Sequence, residues 1–350
     1  TVPALEEEPP SEFNNLKPFK PFELITEMFG TPTLRDWDPT PLLTYAFIIF
    51  FSIMLGDIGY SIGLILGARY ILPLFVDDPK SEGFRKLQKV LYIGGAGGIV
   101  AGLLSRSFFG DLLGRYIPPQ LQLLPSGLGA MIGLSFLIGW IWMVVAHAIA
   151  AARNAAKLRD IFGALAEVSI TALLVLGLFF SLNFLQARGL TPTLEPIITR
   201  DLYAFAQQNA STINTLIYIF LAVLVVSKVK SVGGLGAFLW IFDITGALGD
   251  ILSFGRIGGV AVSTLMLANT FNSMIYGVVG SGILGVVLGV LMAMLCHLFV
   301  LALSPIGPFV HSLRLCLIEI STKIYEGMNR KPAMLSIKIP SRVRITGMSR

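Results

Sequence analysis

Long apolar runs separated by short polar segments dominate this chain. The first extends from Pro41 to Val76 and is interrupted by Gly56-Asp57-Ile58-Gly59-Tyr60. As one helix it would be about 50 Å long at 1.5 Å per residue, against a hydrocarbon core of about 30 Å. The pattern therefore predicts two shorter helices, 42–56 and 59–75, meeting at the Gly-Asp turn. Apolar spans follow at 88–109 and 127–153, separated by the Pro118-Pro119 loop, and at 160–185. A polar segment, 186–210, precedes a span at 211–228. The last two spans are long, 235–279 and 283–326. Pro305 and Pro308 are expected to kink the second, because each removes a backbone hydrogen bond. The prediction is an all-α integral membrane protein with eight transmembrane helices in residues 41–326.

The flanks differ in kind. Residues 1–40 are polar and proline-rich, with Glu6, Glu7 and Glu8 in a row, which predicts a linker carrying one surface helix. Residues 327–350 form a basic tail. The chain begins at Thr1 without an initiator Met or a signal-peptide pattern, so it is expected to be the membrane part of something longer or a processed chain. Eight spans with both ends cytoplasmic put Lys80, Arg85, Lys86, Arg153, Lys157, Arg159, Lys228, Lys230 and the tail on the inside. Only Arg115, Arg188 and Arg200 fall outside, a bias that obeys the positive-inside rule.

Composition agrees. The 350 residues are 54% hydrophobic and only 13% charged, about half the charged fraction of a soluble domain. The net charge of +5 would suggest nucleic acid in a soluble protein; here the basic residues read as topology determinants, and no nucleic-acid partner is expected. Cys296 and Cys316 are too few for a disulfide framework and are not in metal-like spacing with the three histidines, so no cofactor or metal is expected. No Gly-x4-Gly-Lys-Ser/Thr motif is present, which argues against a nucleotide site.

Few ionisable groups lie within the spans. Arg256 sits in the middle of 235–279 with no acidic residue within a helical turn. An arginine keeps its proton and is costly in hydrocarbon, so it marks a functional path or a partner. Its neighbours at helical spacing are Gly249, Ser253, Gly259 and Ser263, with Gly255 and Gly258 alongside. They suit tight helix packing or a smooth sliding surface. Asp243 and Asp250 precede it and either polarise an inner approach or pair with a neighbouring helix. Asp57 either lines an external water-filled cavity or caps a helix, and Asp111 reads as a solvated loop carboxylate. Glu167 suits a polar inner cavity or an ion pair with Arg159 or Lys157. His147 and His297 read as packing residues. His311 and Arg314 share a helix face, Arg314 being a second buried guanidinium or one that snorkels to the surface. Glu319 and Lys323 read as an i,i+4 pair.

Four stretches, in order, carry a family resemblance. Gly249-Asp-Ile-Leu-Ser-Phe-Gly-Arg256 resembles the Ser-Tyr-Leu-Arg segment of the stator subunit of rotary V-type and archaeal-type ATPases, called subunit a or subunit I. His311-Ser-Leu-Arg314-Leu resembles that family's second arginine motif; Asp38-Pro-Thr-Pro41 and Met54-Leu-Gly-Asp-Ile-Gly-Tyr60 resemble the segment where it enters the membrane. The resemblance covers residues 36–330. It implies eight membrane helices, the last two tilted against a ring of c-type proteolipid subunits, and an N-terminal cytoplasmic half, absent here, that binds peripheral stalks. It further implies a prokaryotic plasma-membrane location and a complex with a central stalk and an ATP-converting A1 or V1 sector.

In that picture this subunit carries no nucleotide site. Two ion half-channels, for proton or sodium, meet at Arg256 and Arg314, with Asp57, Glu167, Asp243, Asp250 and His311 along the paths. Two departures stand out: Phe254-Gly255 replaces the family's Tyr-Leu, and Ser304 replaces the glutamate that eukaryotic relatives carry seven residues before the second-motif histidine. A stand-alone secondary transporter, binding an anion with Asp57, Glu167 and Arg256, is the alternative class. A purely structural anchor would leave the arginines unexplained.

Overall fold

The computed structural model describes residues 15–32, 37–125, 127–158, 160–189, 198, 200–280, 282–325 and 327–328. Most of them are helical. A 3-10 turn, Lys20–Phe22, runs into α1 (Glu23–Phe29), which precedes α2 (Thr40–Leu55). Helix α2 is apolar all round and buried on several sides: Leu43, Ala46, Phe47, Phe50, Phe51 and Met54 are 0–1% exposed. It ends because Gly56 turns into the left-handed region (φ +42°), where an added Cβ would lie 2.9 Å from the Ile53 carbonyl oxygen. Asp57 then caps α3 (Ile58–Leu66), which continues as a π turn and a 3-10 turn to Phe75. The Gly-Asp break expected between two helices is therefore present.

Next come α4 (Glu82–Ser105), α5 (Leu128–Arg153), α6 (Ile161–Ala187), the short α7 (Arg200–Gln208) and α8 (Ala210–Val232). Helix α4 lies against α2 and α3 through its glycines. A Cβ at Gly102 would stand 2.5 Å from the Ile58 backbone nitrogen, an approach only glycine allows. Helices α5, α6 and α8 pack in sequence, and α9 (Gly236–Ser253) joins α5 and α8. Helix α10 (Gly255–Val279) packs on α2, α5 and α11 (Ile283–Leu303). The chain closes with α12 (Ile306–Arg314), a π-helical segment Leu315–Ser321 and α13 (Thr322–Ile324). A two-residue antiparallel pairing ties Thr31–Pro32 to Gly327–Met328.

Among the described residues, seven helical segments are long and apolar enough to cross a membrane. The eighth expected span, α2, is apolar but has 16 residues, about 24 Å of helix, and lies inside the bundle rather than at its rim. The two long spans are present but interrupted. Between α9 and α10 the chain tightens at Phe254, whose N–H bonds to the Ile251 carbonyl and whose carbonyl accepts from Ile257 N–H. Phe254 is fully buried, edge-on to Phe50 at 5.4 Å and against Gly139. The final span breaks at Ser304 and Pro305, as Pro305 demands, while Pro308 sits in the first turn of α12, where its missing N–H costs nothing. Residues 19–29, read from sequence as linker, contribute Phe22 and Ile25 to the core at 1% and 2% exposure.

Candidate functional site

Arg256 lies in the first turn of α10, just past the tightened step at Phe254. Its side chain is 30% exposed, and its Nη1 donates to Glu319 Oε1 at 3.4 Å. Glu319 is 2% exposed, so a buried carboxylate stands behind a guanidinium that reaches the surface. This overturns the sequence reading of Glu319 as the helical partner of Lys323. Lys323 instead reaches Asp250 on α9 at 3.2 Å. The π winding of Leu315–Ser321, which places an extra residue in the turn, sets the register of Glu319 after Arg314; such bulges recur at functional sites. Both guanidinium charges, Arg256 and Arg314, act on His311 and on Glu319. Arg314 itself is exposed, and among the described residues it has no ion-pair partner.

The glycines around Arg256 divide into two faces. An added Cβ at Gly258 would meet the Met131 carbonyl oxygen and Ser135 Oγ at 2.7 Å, and one at Gly255 would meet Phe136 at 3.0 Å. Those two glycines let α10 approach α5. Gly249 and Gly259 have nothing within 4 Å of such a Cβ and, like Ser263, are exposed. An exposed small-residue stripe thus flanks Arg256 on its open side.

Away from Arg256, α9 carries a ladder of charge pairs to its neighbours. Asp250 is held by Lys323, and Asp243 by Lys228 of α8 at 2.7 Å. Of the two readings offered for these aspartates, pairing with a neighbouring helix is the one observed. Glu167 on α6 bonds to His147 Nδ1 on α5 at 2.7 Å, so His147 is a partner rather than a packing residue. An apolar crevice of about 380 Å³ between Trp140, Leu174, Tyr218 and Leu248 contains no charged side chain, which leaves these polar clusters as the chemistry-bearing places.

At the opposite end of α10 a second network is buried. Asp57 is 3% exposed; it accepts from Tyr60 N–H and Phe109 N–H on Oδ1, and from Ser107 Oγ–H and Gly110 N–H on Oδ2. Tyr60 Oη lies 2.9 Å from His297 Nδ1, and His297 Nε2 lies 3.1 Å from Asn272 Oδ1. The Asn272 amide donates to Asp111 Oδ1 and to the Phe109 carbonyl, both at 2.8 Å. Because that amide nitrogen is the donor, its oxygen accepts, which places the proton of neutral His297 on Nε2 and makes Tyr60 the donor to Nδ1. His297 and Asp111, read from sequence as a packing residue and a solvated carboxylate, are joined here by one chain of bonds.

No family model matches the chain. Curated relatives do. It is 28% identical over 349 residues to A-type ATP synthase subunit I of Methanocaldococcus jannaschii, covering 93% of this chain and 49% of the relative. Subunit I of Pyrococcus abyssi is 28% identical, over 92% of this chain and 46% of its own. That of Archaeoglobus fulgidus is 26% identical, over 93% and 53%. The chain is a homologue of A-type ATP synthase subunit I. It spans about half the length of the curated relatives it matches.

Of the site residues expected in this subunit I homologue, the structure brings Arg256, Arg314, His311 and Asp250 into one neighbourhood. It sets Asp57 at the far end of α10, and Glu167 with His147 between α5 and α6. Sequence reasoning gave Glu319, His147 and His297 other partners or none, and did not name Asn272. Arginine without a local acid was the signal for Glu319: a charge that cannot be shed needs a partner from another helix.

Proposed function

We propose that the chain is the membrane stator of a rotary A/V-type ATPase, in which ions cross between this subunit and a ring of proteolipid rotor subunits. The reading rests chiefly on Arg256: a cation on an exposed glycine and serine stripe, mid-span, in a homologue of A-type ATP synthase subunit I. An ion enters from outside at the Asp57–Asp111 end, binds a rotor carboxylate, travels round, and leaves along the α9 side, where Asp250, Asp243 and, on α6, Glu167 lie. Both chain ends face the cytoplasm in this arrangement, and the rest of the complex contributes the stalks and the ATP-converting sector.

Arg256 separates the two paths. A unit charge pair at about 4 Å in an effective dielectric of about 20 is worth roughly 4 kcal/mol, or about three pK units. That is enough to drive an ion off a rotor carboxylate facing Arg256. The same fixed cation blocks a direct leak, which would dissipate about 2.3 kcal/mol per charge per 100 mV. Arg314, exposed beside His311, positions the rotor contact.

The test is Arg256→Ala in the assembled complex, reconstituted into vesicles. ATP-driven pumping is expected to vanish while assembly is intact; normal pumping sinks the assignment. Running the assay with and without Na⁺ identifies the ion.

A further inference from the structure

We infer that Glu319 is the proton acceptor on the cytoplasmic side of Arg256; the inference rests on the stator reading above and names the group that reading leaves open. Three observations carry it. Glu319 is 2% exposed; Arg256 holds it through Oε1, and the Ser253 hydroxyl stands beside the same carboxylate. Its other oxygen, Oε2, is buried and has no partner of hydrogen-bond geometry among the described residues. A carboxylate oxygen withdrawn from water and left unbonded is costly, and taking up a proton relieves that cost. Third, the polar ladder leads away from this point: Lys323 one turn on holds Asp250, and Asp243 follows along α9 with Lys228. Ser304, at the break in the final span, has a buried hydroxyl without a partner among the described residues and no acid to offer.

The step balances. A protonated rotor carboxyl arrives opposite Arg256, which is paired with the Glu319 carboxylate. The rotor O–H bond breaks and an O–H bond forms on Glu319 Oε2. The new rotor carboxylate takes the place on Arg256 that neutral Glu319 gives up. One cation and one carboxylate remain paired before and after, so Arg256 is never left unpaired in the membrane. Deprotonation of Glu319 toward the Asp250–Lys323 side resets the pair. The charged and titratable groups around Glu319 are Arg256 from α10, Arg314 and His311 from α12, Cys316 on its own segment, and the Asp250–Lys323 pair.

The experiment uses the whole complex in vesicles, measuring ATP-driven acidification beside ATP hydrolysis and thermal stability. Glu319→Gln keeps the size and an oxygen for Arg256 but accepts no proton. Its pumping is expected to fall about 100-fold or more, the usual weight of a positioned acid–base group, with stability near wild type. Glu319→Asp is expected to restore most of the pumping. A Glu319→Gln complex that pumps normally, while Arg256→Ala does not, overturns the inference and leaves the stator reading standing; normal pumping by both overturns the reading. Where Glu319→Gln fails to assemble, Glu319→Asp decides: retained pumping supports proton acceptance, and a loss as deep as that of Arg256→Ala overturns it. Pumping that requires Na⁺ also overturns it, because the step carries a proton.

Discussion

Four donors converge on Asp57 and fix its carboxylate at the turn between α2 and α3. Two backbone N–H groups and a hydroxyl come from the loop after α4, and one N–H comes from α3, so both carboxylate oxygens are occupied. Asn in its place keeps one accepting oxygen and turns an amide nitrogen toward Ser107 and Gly110. Asp57→Asn is therefore expected to lower stability by about 1–3 kcal/mol, read as a lower melting temperature of the purified complex. On the stator reading, transport per assembled complex separates the two roles: transport that falls only as far as stability does makes Asp57 an anchor of the entry end. Slowed transport at limiting external ion in a fully stable variant would put Asp57 on the ion path instead. His297 is held in the same way. His297→Leu strands Tyr60 Oη and Asn272 Oδ1, each at about 1–3 kcal/mol, and a thermal melt indistinguishable from wild type would refute the network as drawn. None of this was visible along the chain: Tyr60 and His297 are 237 positions apart and share no periodicity. The charge on Arg256 was legible because hydrocarbon makes any charge conspicuous. Its partner was not, because Glu319 lies 63 positions on and had a plausible local mate in Lys323.

The long apolar helices and their order followed from hydropathy, whereas α7 (Arg200–Gln208) lies within the segment read as polar; the Gly-Asp turn and Pro305 marked two breaks by backbone chemistry. What stayed hidden were the interruptions made by packing: Phe254, pulled into the core by Phe50, and the π turn after Arg314. Glycine placement shows how far element packing depends on single positions. In α4, Gly102 faces the backbone of Asp57 and Ile58, whereas Gly83 has nothing within 4 Å. Gly102→Val is expected to prevent α2, α3 and α4 from closing, since a backbone nitrogen 2.5 Å away cannot yield as a side chain can. Gly83→Ala, in the same helix, is expected to stabilise by about 0.5–1 kcal/mol through helix propensity. Recovery of folded protein after detergent extraction checks both, and equal yields of the two variants would refute the close-packed interface.

At the scale of the whole molecule, charge pairs stitch together helices that contribute different parts of the site. Lys228–Asp243 joins α8 to α9, Lys323–Asp250 joins the last helix to α9, and Arg256–Glu319 joins it to α10. In water such pairs contribute little, because exposed ions are well solvated and screened. Here the partners are 21–31% exposed at Lys228, Asp243, Lys323 and Asp250, within apolar sequence, so breaking one pair leaves a charge that solvent reaches poorly. The pairs therefore act as registers: they hold the α9–α10 face in line with the last helix, so that the small-residue stripe beside Arg256 has a fixed height. That role has a sharp signature. Asp250→Lys and Lys323→Asp, made singly, place like charges together and are expected to lower thermal stability severely and, on the stator reading, the yield of pumping complex with it. The double swap restores an ion pair across the same two helices and is expected to recover much of both. A double-mutant cycle on thermal stability isolates the coupling between the two sites. Additive losses, with no recovery in the double swap, would mean that the two helices are aligned by their apolar faces alone.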